Sequence, residues 1–311
     1  MIVTVTLNPA YDHILILEEM DPGQLNRAST TMRIPGGKGV NVACSLALLG
    51  EEVIATGFLG GSVSRPFEEY LRKVGVTTNF IYTNTELRTD FFVMEEKKNR
   101  QTLLVEEGSA IELRYINSFK TNFERLLGQA DIIEIGGSLP KGVSPSFVKE
   151  LIILANKKNV KVVLNVQEHI LKECLGTKLF IAMPDLRGCE NIMGKNVCKL
   201  NLRPLISKEI MDKGTEIVIL NSESFKYTVA NKDELWEGEI EAGKAPIKIG
   251  VRDSLLAGFI YNYKSSGNLG EALKYGLGCA LSTARNKKAN QPNSIKEVEE
   301  LRLMAKVRKV S

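Results

Sequence analysis

The sequence predicts an α/β fold in which helices cover both faces of a mostly parallel sheet. Short apolar runs alternate with amphipathic segments through most of the chain, which is typical of parallel strands joined by helices. The length of 311 residues and the hydrophobic fraction of 43% supply enough apolar side chains for one large core. Two other strand-like stretches break this alternation, and no helix interrupts the second of them, so they predict a small second sheet outside the main layer.

The strands of the predicted main sheet are apolar runs of the kind that is buried on both faces. Segments with helical periodicity, such as GVNVACSLALLG, PFEEYLRKVG and SPSFVKELIILANKKN, separate several of these runs. Because parallel strands need a long crossover connection, this alternation favours a parallel sheet. The predicted strands span residues 2–7, 52–60, 130–137, 160–166, 179–183 and 216–220.

The predicted second sheet comes from residues 12–17 and 89–106. The second stretch has a polar turn at 97–99, so it predicts two strands of a hairpin. A small sheet outside the main layer is suited to cover a site, and we call it the lid. The apolar alternation of its strands leaves one face in need of cover, and a dimer is one way to provide that cover.

Two helix starts are marked by local sequence. Ser294 and Glu297 form a capping-box pattern, which predicts a surface helix over the C-terminal segment SIKEVEELRLMAKVRK. In IGVRDSLLAGF, residues 249–259, apolar side chains recur with helical spacing and predict a helix that begins near Asp253, just after Gly250.

Charge and cysteine content exclude several classes of protein. Lysine and arginine number 41 against 37 acidic residues, and the basic block is only the short tail at 306–309, which argues against nucleic acid as a partner. The chain start has no signal-peptide pattern and no run of 18 apolar residues occurs, so we expect a cytoplasmic protein with no membrane partner. Five cysteines without CxxC spacing predict reduced core thiols: Cys44, Cys174, Cys189, Cys198 and Cys279.

The turn before the helix at Asp253 has the geometry of an anion site. Unpaired N–H groups at a helix N-terminus, approached by the flexible Gly250, suit a phosphate or a developing oxyanion. The residues between, Val251 and Arg252, are however not the small residues that allow close backbone approach. Asp253 itself fits two roles, as the N-cap of the helix or as a general base.

A second glycine cluster, IPGGKGVNVACSLALLG at 34–50, also precedes a predicted helix. Gly36, Gly37 and Gly39 allow close backbone approach, and Lys38 beside them suits an anionic or polyhydroxyl ligand. The pattern is neither a Walker loop nor GxGxxG, and taken alone a glycine-rich turn before a helix is more often just a tight turn. A third glycine turn, GGSLPKG at 136–142, follows an apolar strand.

Together these turns indicate a ligand site, because the strand-to-helix turns of a doubly wound sheet lie at one edge, where ligands bind. Two anion sites at one edge suggest a phosphoryl donor that meets an acceptor.

Six motifs carry a resemblance to a known family: TLNPAYD (6–12), GQLNRA (23–28), PGGKGVNVA (35–43), GFLGG (57–61), GGSLPKG (136–142) and GVRDSLLAGF (250–259). They stand in the same order as in the ribokinase-like, phosphofructokinase-B carbohydrate kinases, and the chain resembles the branch of tagatose-6-phosphate kinase and 1-phosphofructokinase. The resemblance spans nearly the whole chain.

The resemblance implies a ribokinase-like three-layer sandwich: a single domain over 1–311, with a discontinuous β-lid from roughly 10–34 and 87–107. It also implies phosphoryl transfer from ATP, with Mg²⁺, to a hydroxyl of a ketohexose phosphate of the tagatose 6-phosphate or fructose 1-phosphate type. The partners implied are this sugar phosphate, the nucleotide and a second copy of the chain, bound through the lids.

Carried over by position, Asp253 matches the general base and Gly250 begins the anion-hole turn before it. The positions that match residues binding the sugar hydroxyls are Asp12, Gly36, Gly37 and Asn41. Those that fall where the family contacts the phosphate on the sugar are Arg27, Lys38, Arg88 and Ser138. Such a site is chemically reasonable, because phosphoryl transfer needs positioning and charge stabilisation more than covalent help.

The nucleotide side departs from the family pattern in three places. The usual Gly-Ala-Gly-Asp turn is here Gly250, Val251, Arg252 and Asp253. PDLRG, with Asp185 and Gly188, stands where the family has Asn-x-x-Glu, and ILNSESF at 219–225 lacks the expected glycines. The residues predicted to contact the nucleotide are Gly250, Val251, Asp185 and Asn221, with Asp185 as the magnesium ligand.

Three interpretations of this altered side stay open on sequence alone. In the first, the protein is a kinase in which Arg252 supplies catalytic charge and Asp185 holds magnesium through water. In the second, it is a weak or inactive relative that binds a sugar phosphate as a sensor or partner protein. In the third, Arg252 points into solvent and has no role. We favour the first, because Asp253 is present together with the residues for the sugar.

Overall fold

The computed structural model describes residues 1–186, 191–196, 199–223, 225–243, 249–286 and 290–310. Its strands are β1 (Ile2–Thr6), β2 (Ala10–Leu17), β3 (Thr30–Gly36), β4 (Val53–Gly60), β5 (Thr77–Thr78), β6 (Ile81–Thr83), β7 (Arg88–Glu95), β8 (Arg100–Val105), β9 (Ile132–Gly137), β10 (Lys161–Val166), β11 (Leu179–Ala182), β12 (Asn191–Ile192), β13 (Lys195–Asn196), β14 (Thr215–Glu223), β15 (Lys226–Ala230), β16 (Leu235–Glu239) and β17 (Lys306–Lys309). Its helices are α1 (Lys38–Leu48), α2 (Ser64–Lys73), α3 (Leu113–Leu126), α4 (Pro145–Lys157), α5 (Glu168–Cys174), α6 (Arg203–Met211), α7 (Val251–Ser266), α8 (Leu269–Arg285) and α9 (Ile295–Arg302), with a 3₁₀ turn at Leu200–Leu202.

The main sheet is mostly parallel, as the alternation of strands and helices predicts. Its strand order is β17-β16-β15-β14-β11-β10-β9-β1-β4-β5, and β6 also pairs with β4. Every neighbouring pair from β14 to β5 is parallel. Beyond β14 the sheet continues through β15, β16 and β17 in antiparallel pairing, and the sequence analysis missed this extension.

Helices cover both faces of this sheet, which confirms the three-layer sandwich. One apolar core joins the sheet to α1, α2, α7 and α8, and it includes Leu46, Leu71, Leu255 and Leu277. The other core joins the opposite face to α3, α4, α5 and α6 through residues such as Phe119, Leu151, Leu171 and Ile206. Within the described ranges, no helix combines the length and the apolar character needed to cross a bilayer.

The lid is a separate four-stranded sheet with the order β3-β2-β7-β8. The stretch at 12–17 forms all but the first two residues of β2, and the predicted hairpin at 89–106 is formed by β7 and β8. Its third component, β3, was not predicted as a strand. Ile14, Ile34 and Phe92 of the lid pack in one cluster with Ile249, which directly precedes the Gly250 turn. The lid is therefore joined to the segment that leads into α7.

The C-terminal prediction was right at its start and wrong at its end. Ser294 caps α9 by accepting a hydrogen bond from the Glu297 amide at 3.2 Å. The Glu297 carboxylate does not complete a capping box, because it accepts a 2.8 Å hydrogen bond from the Ser282 hydroxyl instead. The helix ends at Arg302, and the basic tail forms β17, which pairs with β16.

Candidate active site

A cleft of about 1250 Å³ lies where the carboxyl ends of the parallel strands face the lid. This volume lies above the range that is usual for a pocket that holds one small ligand. Most of the residues predicted from the sequence line it together: Asp12, Gly37, Lys38, Asn41, Arg88, Ser138, Asp185, Gly250 and Asp253.

The other predicted residues lie beside the cleft or away from it. Gly36 packs against the Asp12 carboxylate, where an added Cβ would lie 2.2 Å from Oδ1. Val251 is buried in the core that joins α1, α7 and α8 to the sheet. Arg252 and Asn221 lie next to the cleft and contact each other. Arg27 is exposed in the loop between β2 and β3 and does not line the cleft.

Asp253 is a buried carboxylate held by two amide side chains. It lies in the first turn of α7, and only 6% of its surface is exposed. The Asn41 amide donates a 2.8 Å hydrogen bond to its Oδ2, and the Asn165 amide donates a 3.1 Å hydrogen bond to its Oδ1. The N-cap position belongs to Gly250, so the interpretation of Asp253 as an N-cap was wrong.

Gly250 has a conformation that few other residues tolerate. Its φ of 70° is left-handed, and an added Cβ would lie 2.4 Å from the Asn290 carbonyl oxygen. Helix α7 begins with the next residue, and the first N–H groups of a helix have no acceptor within it. Since Gly250 itself lines the cleft, this turn keeps the geometry of an anion site.

Arg252 does not point into solvent, so the third interpretation of this residue was wrong. Its Nη1 donates a 2.8 Å hydrogen bond to Asp185 Oδ1, and its Nη2 donates a 2.6 Å hydrogen bond to Asn221 Oδ1. Lys38 Nζ lies 2.8 Å from the other Asp185 oxygen and donates to Asn165 Oδ1 at 3.1 Å. Two cations thus flank one carboxylate next to the Gly250 turn.

The prediction that Asp185 holds Mg²⁺ stays a prediction, and these contacts do not fit it. Each carboxylate oxygen already faces a cation, Arg252 on one side and Lys38 on the other. Among the residues that the structure describes, no group of three His, Cys, Asp or Glu side chains could hold a metal ion. A site for Mg²⁺ built by the protein would need open carboxylate oxygens.

On the lid side of the cleft, a second aspartate accompanies the predicted residues. Asp12 on β2 and Asp90 on β7 are register partners, so their side chains share one face of the lid. Both are buried and line the cleft. Arg88 Nη1 lies 3.2 Å from Asp90 Oδ1 and donates a 3.0 Å hydrogen bond to the Glu106 carbonyl oxygen. The sequence analysis missed Asp90.

Asn290 is a further residue that sequence reasoning missed. It is fully buried, and its amide donates to the Pro35 carbonyl oxygen at 2.9 Å and to Asn41 Oδ1. Because the Asn41 oxygen accepts from Asn290, the Asn41 amide group is left to face Asp253. Asn290 therefore orients one of the two amides that hold the buried carboxylate.

Two polar residues of the main strands were also missed, Glu134 on β9 and Asn165 on β10. Both are almost fully buried next to Lys38 and Asp253. Burial and the nearby Asp253 carboxylate raise the pKa of Glu134 well above its ordinary value, whereas Lys38 and Asn165 act in the opposite direction. The available signal was a lone polar residue near the end of an otherwise apolar run, in ADIIEIGG and in VKVVLNV.

Some predictions fall on residues whose structure is not described. Gly188, Cys189 and Cys198 lie outside the described ranges. Cys44, Cys174 and Cys279 are free, buried thiols, as predicted. Burial raises the pKa of the Cys44 and Cys174 thiols to about 12, which leaves them protonated and unreactive at neutral pH.

Comparison with known proteins gives one consistent result. A model of the pfkB family of carbohydrate kinases matches residues 5–296. The chain is 29% identical to a tagatose-6-phosphate kinase of Staphylococcus epidermidis over 262 residues, which cover 83% of this chain and 84% of the relative. It is 26% identical to the 1-phosphofructokinase of Bacillus subtilis over 284 residues, which cover 91% and 92% of the two chains.

A solved structure resembles the chain along its whole length. It is described as a possible 1-phosphofructokinase from Thermotoga maritima, with 27% sequence identity and a TM-score of 0.91. The similarity covers 100% of this chain and 99% of the other. The residues that depart from the family pattern, around Asp185, Asn221 and Arg252, thus stand in an otherwise matching fold.

Proposed function

The chain belongs to the pfkB family of carbohydrate kinases, and we propose that it transfers a phosphoryl group from ATP to a hydroxyl of a ketohexose phosphate. The acceptor is of the tagatose 6-phosphate or fructose 1-phosphate type, which agrees with the names of the relatives. ATP is the donor expected of this family. The choice between the two acceptors rests on experiment.

The observation that carries the proposal is the environment of Asp253. A buried carboxylate lines the cleft, and two amide side chains hold it through hydrogen bonds. A general base must lie within hydrogen-bond reach of the proton that it takes, and the two amides fix this carboxylate at the wall of the cleft. In our proposal, Asp253 takes the proton of the acceptor hydroxyl as that oxygen attacks the phosphoryl group.

The sugar would bind between Asp253 and the lid. Asp12, Asn41 and the backbone at Gly36 and Gly37 surround this part of the cleft and can bond to hydroxyl groups. Arg88 and Ser138 line its outer end, where the phosphate on the sugar would bind. Asn8 links Arg88 to Ser138. Its backbone carbonyl oxygen accepts a hydrogen bond from Arg88 Nε, and its side-chain amide donates a hydrogen bond to the Ser138 hydroxyl.

The phosphoryl donor would bind at the Gly250 turn, next to Asp185 and Asn221. In this arrangement the N–H groups at the start of α7 face the transferred group, as in an oxyanion hole. Arg252, at a position where the family pattern has glycine, adds positive charge beside it, and Lys38 of the matching PGGKG motif lies on the other side of Asp185. Charge of this kind is what the transition state of phosphoryl transfer requires. Arg252 therefore takes a catalytic role in the proposal.

We propose further that the chain is a single ribokinase-like domain over 1–311 that forms a homodimer through its lid. The lid exposes apolar side chains on β8, among them Leu104 and Val105, with exposed fractions of 58% and 56%. A neighbouring lid would cover them. Arg27, which projects from the lid loop, would then be placed near the second subunit. The proposed substrates place the reaction in the cytoplasm.

The test is the release of ADP from Mg-ATP with three acceptors, tagatose 6-phosphate, fructose 1-phosphate and fructose 6-phosphate, beside the unphosphorylated sugars. We expect turnover with at least one sugar phosphate and little with the free sugars, because Arg88 and Ser138 would then have no phosphate to bind. Binding of a sugar phosphate by calorimetry without any turnover would contradict the kinase proposal and favour a sensor.

A further inference from the structure

Glu134 is a buried acidic residue that the proposed mechanism does not yet use. It lies on β9 with Thr4 of β1 as its register partner, and isoleucines surround it in the sequence Ile132, Ile133, Glu134, Ile135. Its exposed fraction is 0%. An acidic side chain at the centre of a parallel sheet is costly to bury, so its presence calls for a function.

The Glu134 carboxyl lies directly beneath the two glycine turns of the cleft. A Cβ added to Gly136 would lie 2.3 Å from its Oε1, and a Cβ added to Gly39 would lie 3.0 Å from its Oε2. The Cβ added to Gly136 would also lie 3.0 Å from the Gly39 amide nitrogen and 3.1 Å from Lys38 Cβ. The carboxyl thus fills the space between β9 and the first turn of α1.

No hydrogen-bond partner meets either Glu134 oxygen in the part of the chain that the structure describes. The Asn165 amide is close enough to lower the Glu134 pKa, although no pair of atoms reaches hydrogen-bond geometry. The charged groups that influence Glu134 are Lys38 and Asp253. Glu134 is therefore in contact with the cluster that holds the proposed base, but not bonded into it.

Two neighbouring buried carboxyls hold a single negative charge more readily than two. Asp253 accepts hydrogen bonds from the Asn41 and Asn165 amides. Glu134 has no such donors within the described residues, and burial, followed by the nearby Asp253 carboxylate, raises the pKa of Glu134 well above its ordinary value. The two carboxyls therefore have different environments, one hydrogen-bonded and one enclosed without donors.

We propose that Glu134 is a positioning residue for Asp253. Its carboxyl fills the space between Gly39 and Gly136, beside Lys38, and keeps Lys38 and Asn165 in the orientation in which Asn165 holds the Asp253 carboxylate toward the acceptor hydroxyl. The inference rests on the proposed function, in which Asp253 is the general base.

If Glu134 has this role, its replacement should affect kcat and the stability of the fold differently. An unpartnered carboxyl in an apolar layer lowers stability, so an apolar residue of similar size should stabilise the fold or leave its stability unchanged. The same change replaces the carboxyl that packs between the Gly39 turn and Lys38, so Lys38 and Asn165 should shift and the reaction should slow. A side chain with only a structural role would show the opposite, a loss of stability with little specific effect on kcat.

The experiment compares Glu134→Gln, which keeps the shape and is always uncharged, with Glu134→Leu. We expect the Gln variant to keep kcat within about twofold, and the Leu variant to lose about 10-fold to 100-fold in kcat. KM for the sugar phosphate should change little in either, and the melting temperature of the Leu variant should not fall. Thr4→Val, on the neighbouring strand with an unpartnered buried hydroxyl, is the matched control and should keep wild-type kcat.

Two results would overturn the inference. Wild-type kcat in Glu134→Leu would show that the carboxyl positions nothing, and a Gln variant as slow as the Leu variant would show that Glu134 acts as an anion. Asp253→Asn is assayed beside them. If the wild type phosphorylates the sugar phosphate and Asp253→Asn does not, the proposed function stands. An unchanged kcat in Glu134→Leu would then contradict only the inference about Glu134. An inactive wild type would overturn the proposed function and this inference with it.

Discussion

The two halves of the cleft each contain a buried aspartate, and different kinds of side chain contact the two aspartates. On the side where we propose that the sugar binds, the Asp253 carboxylate is bonded by the neutral amides of Asn41 and Asn165. On the side proposed for the nucleotide, the Asp185 carboxylate lies between two cations, Lys38 and Arg252. One aspartate is therefore held by neutral donors, whereas the other is held by positive side chains.

This difference explains why the sequence motifs match on one side and not on the other. A site for hydroxyl groups depends on hydrogen-bond geometry, which tolerates little change in residue type. A site for transferring phosphate depends mainly on positive charge, and backbone N–H groups or cationic side chains can both provide it. Lys38 connects the two halves, since it contacts both Asp185 and Asn165.

The largest effect is expected from Asp253→Asn on the sugar side. The variant keeps the shape of the side chain but has no basic oxygen, so kcat should fall by about 100-fold to 10,000-fold. Sugar-phosphate affinity by calorimetry should stay close to that of the wild type. Unchanged turnover would show that Asp253 is not the general base, and the proposed difference between the two halves of the cleft would then be wrong.

Gly250→Ala probes the anion site at the turn. The added Cβ would meet the Asn290 carbonyl oxygen at 2.4 Å in a left-handed conformation, so the turn must shift. We expect about a 100-fold loss in kcat and a loss of about 1 to 2 kcal/mol in the free energy of unfolding.

The matched control is Gly267→Ala at the other end of the same helix. Gly267 has a φ of 63° and nothing within 4 Å of an added Cβ, so only the backbone strain is shared. It should lose similar stability and keep wild-type kcat. Equal kcat in the two variants would show that the Gly250 turn does not contact the transferred group.

Asp185→Asn distinguishes a counter-ion from a metal ligand. If Asp185 holds Lys38 and Arg252, the variant should lose about 10-fold in kcat and about 1 to 3 kcal/mol in stability, because two cations lose their anion. The Mg²⁺ concentration that gives half-maximal rate should not change. A rise of 10-fold or more in that concentration, at constant stability, would instead identify Asp185 as a magnesium ligand.

The smallest effect on catalysis is expected at the lid edge. Leu104→Glu should weaken the proposed dimer, because it adds a charge to an apolar surface that a second copy would bury. Light scattering should show a shift from dimer to monomer. Leu113→Glu, on α3 and even more exposed than Leu104, should leave the mass unchanged. A monomeric wild type would exclude the dimer.

The fold was largely predictable because the main strands are apolar runs whose burial does not depend on register. The antiparallel strands β15, β16 and β17 were missed, since their alternating polar residues resemble loops or a basic tail. Glu134 and Asn165 were missed for a related reason. Their roles depend on which strand face meets Lys38 and Asp253, and that placement arises only from the pairing of β9 with β10.

The contacts of Arg252 could not be predicted either. A single arginine after a glycine gives no signal of its partners, and Asp185 and Asn221 are 67 and 31 residues away in the chain. The structure brings all three to the same edge of the sheet. These contacts distinguish an arginine that is part of the cleft wall from an arginine that points into solvent.

The central claim is that Arg252 supplies the charge that the nucleotide side uses for phosphoryl transfer. The most direct test measures kcat for the wild type, Arg252→Lys and Arg252→Gly with a sugar phosphate that the wild type accepts. We predict a loss of about 100-fold or more in Arg252→Gly and a smaller loss in Arg252→Lys, with sugar-phosphate affinity unchanged in both. An Arg252→Gly enzyme as fast as the wild type, or faster, would contradict the claim and show that Arg252 obstructs the site.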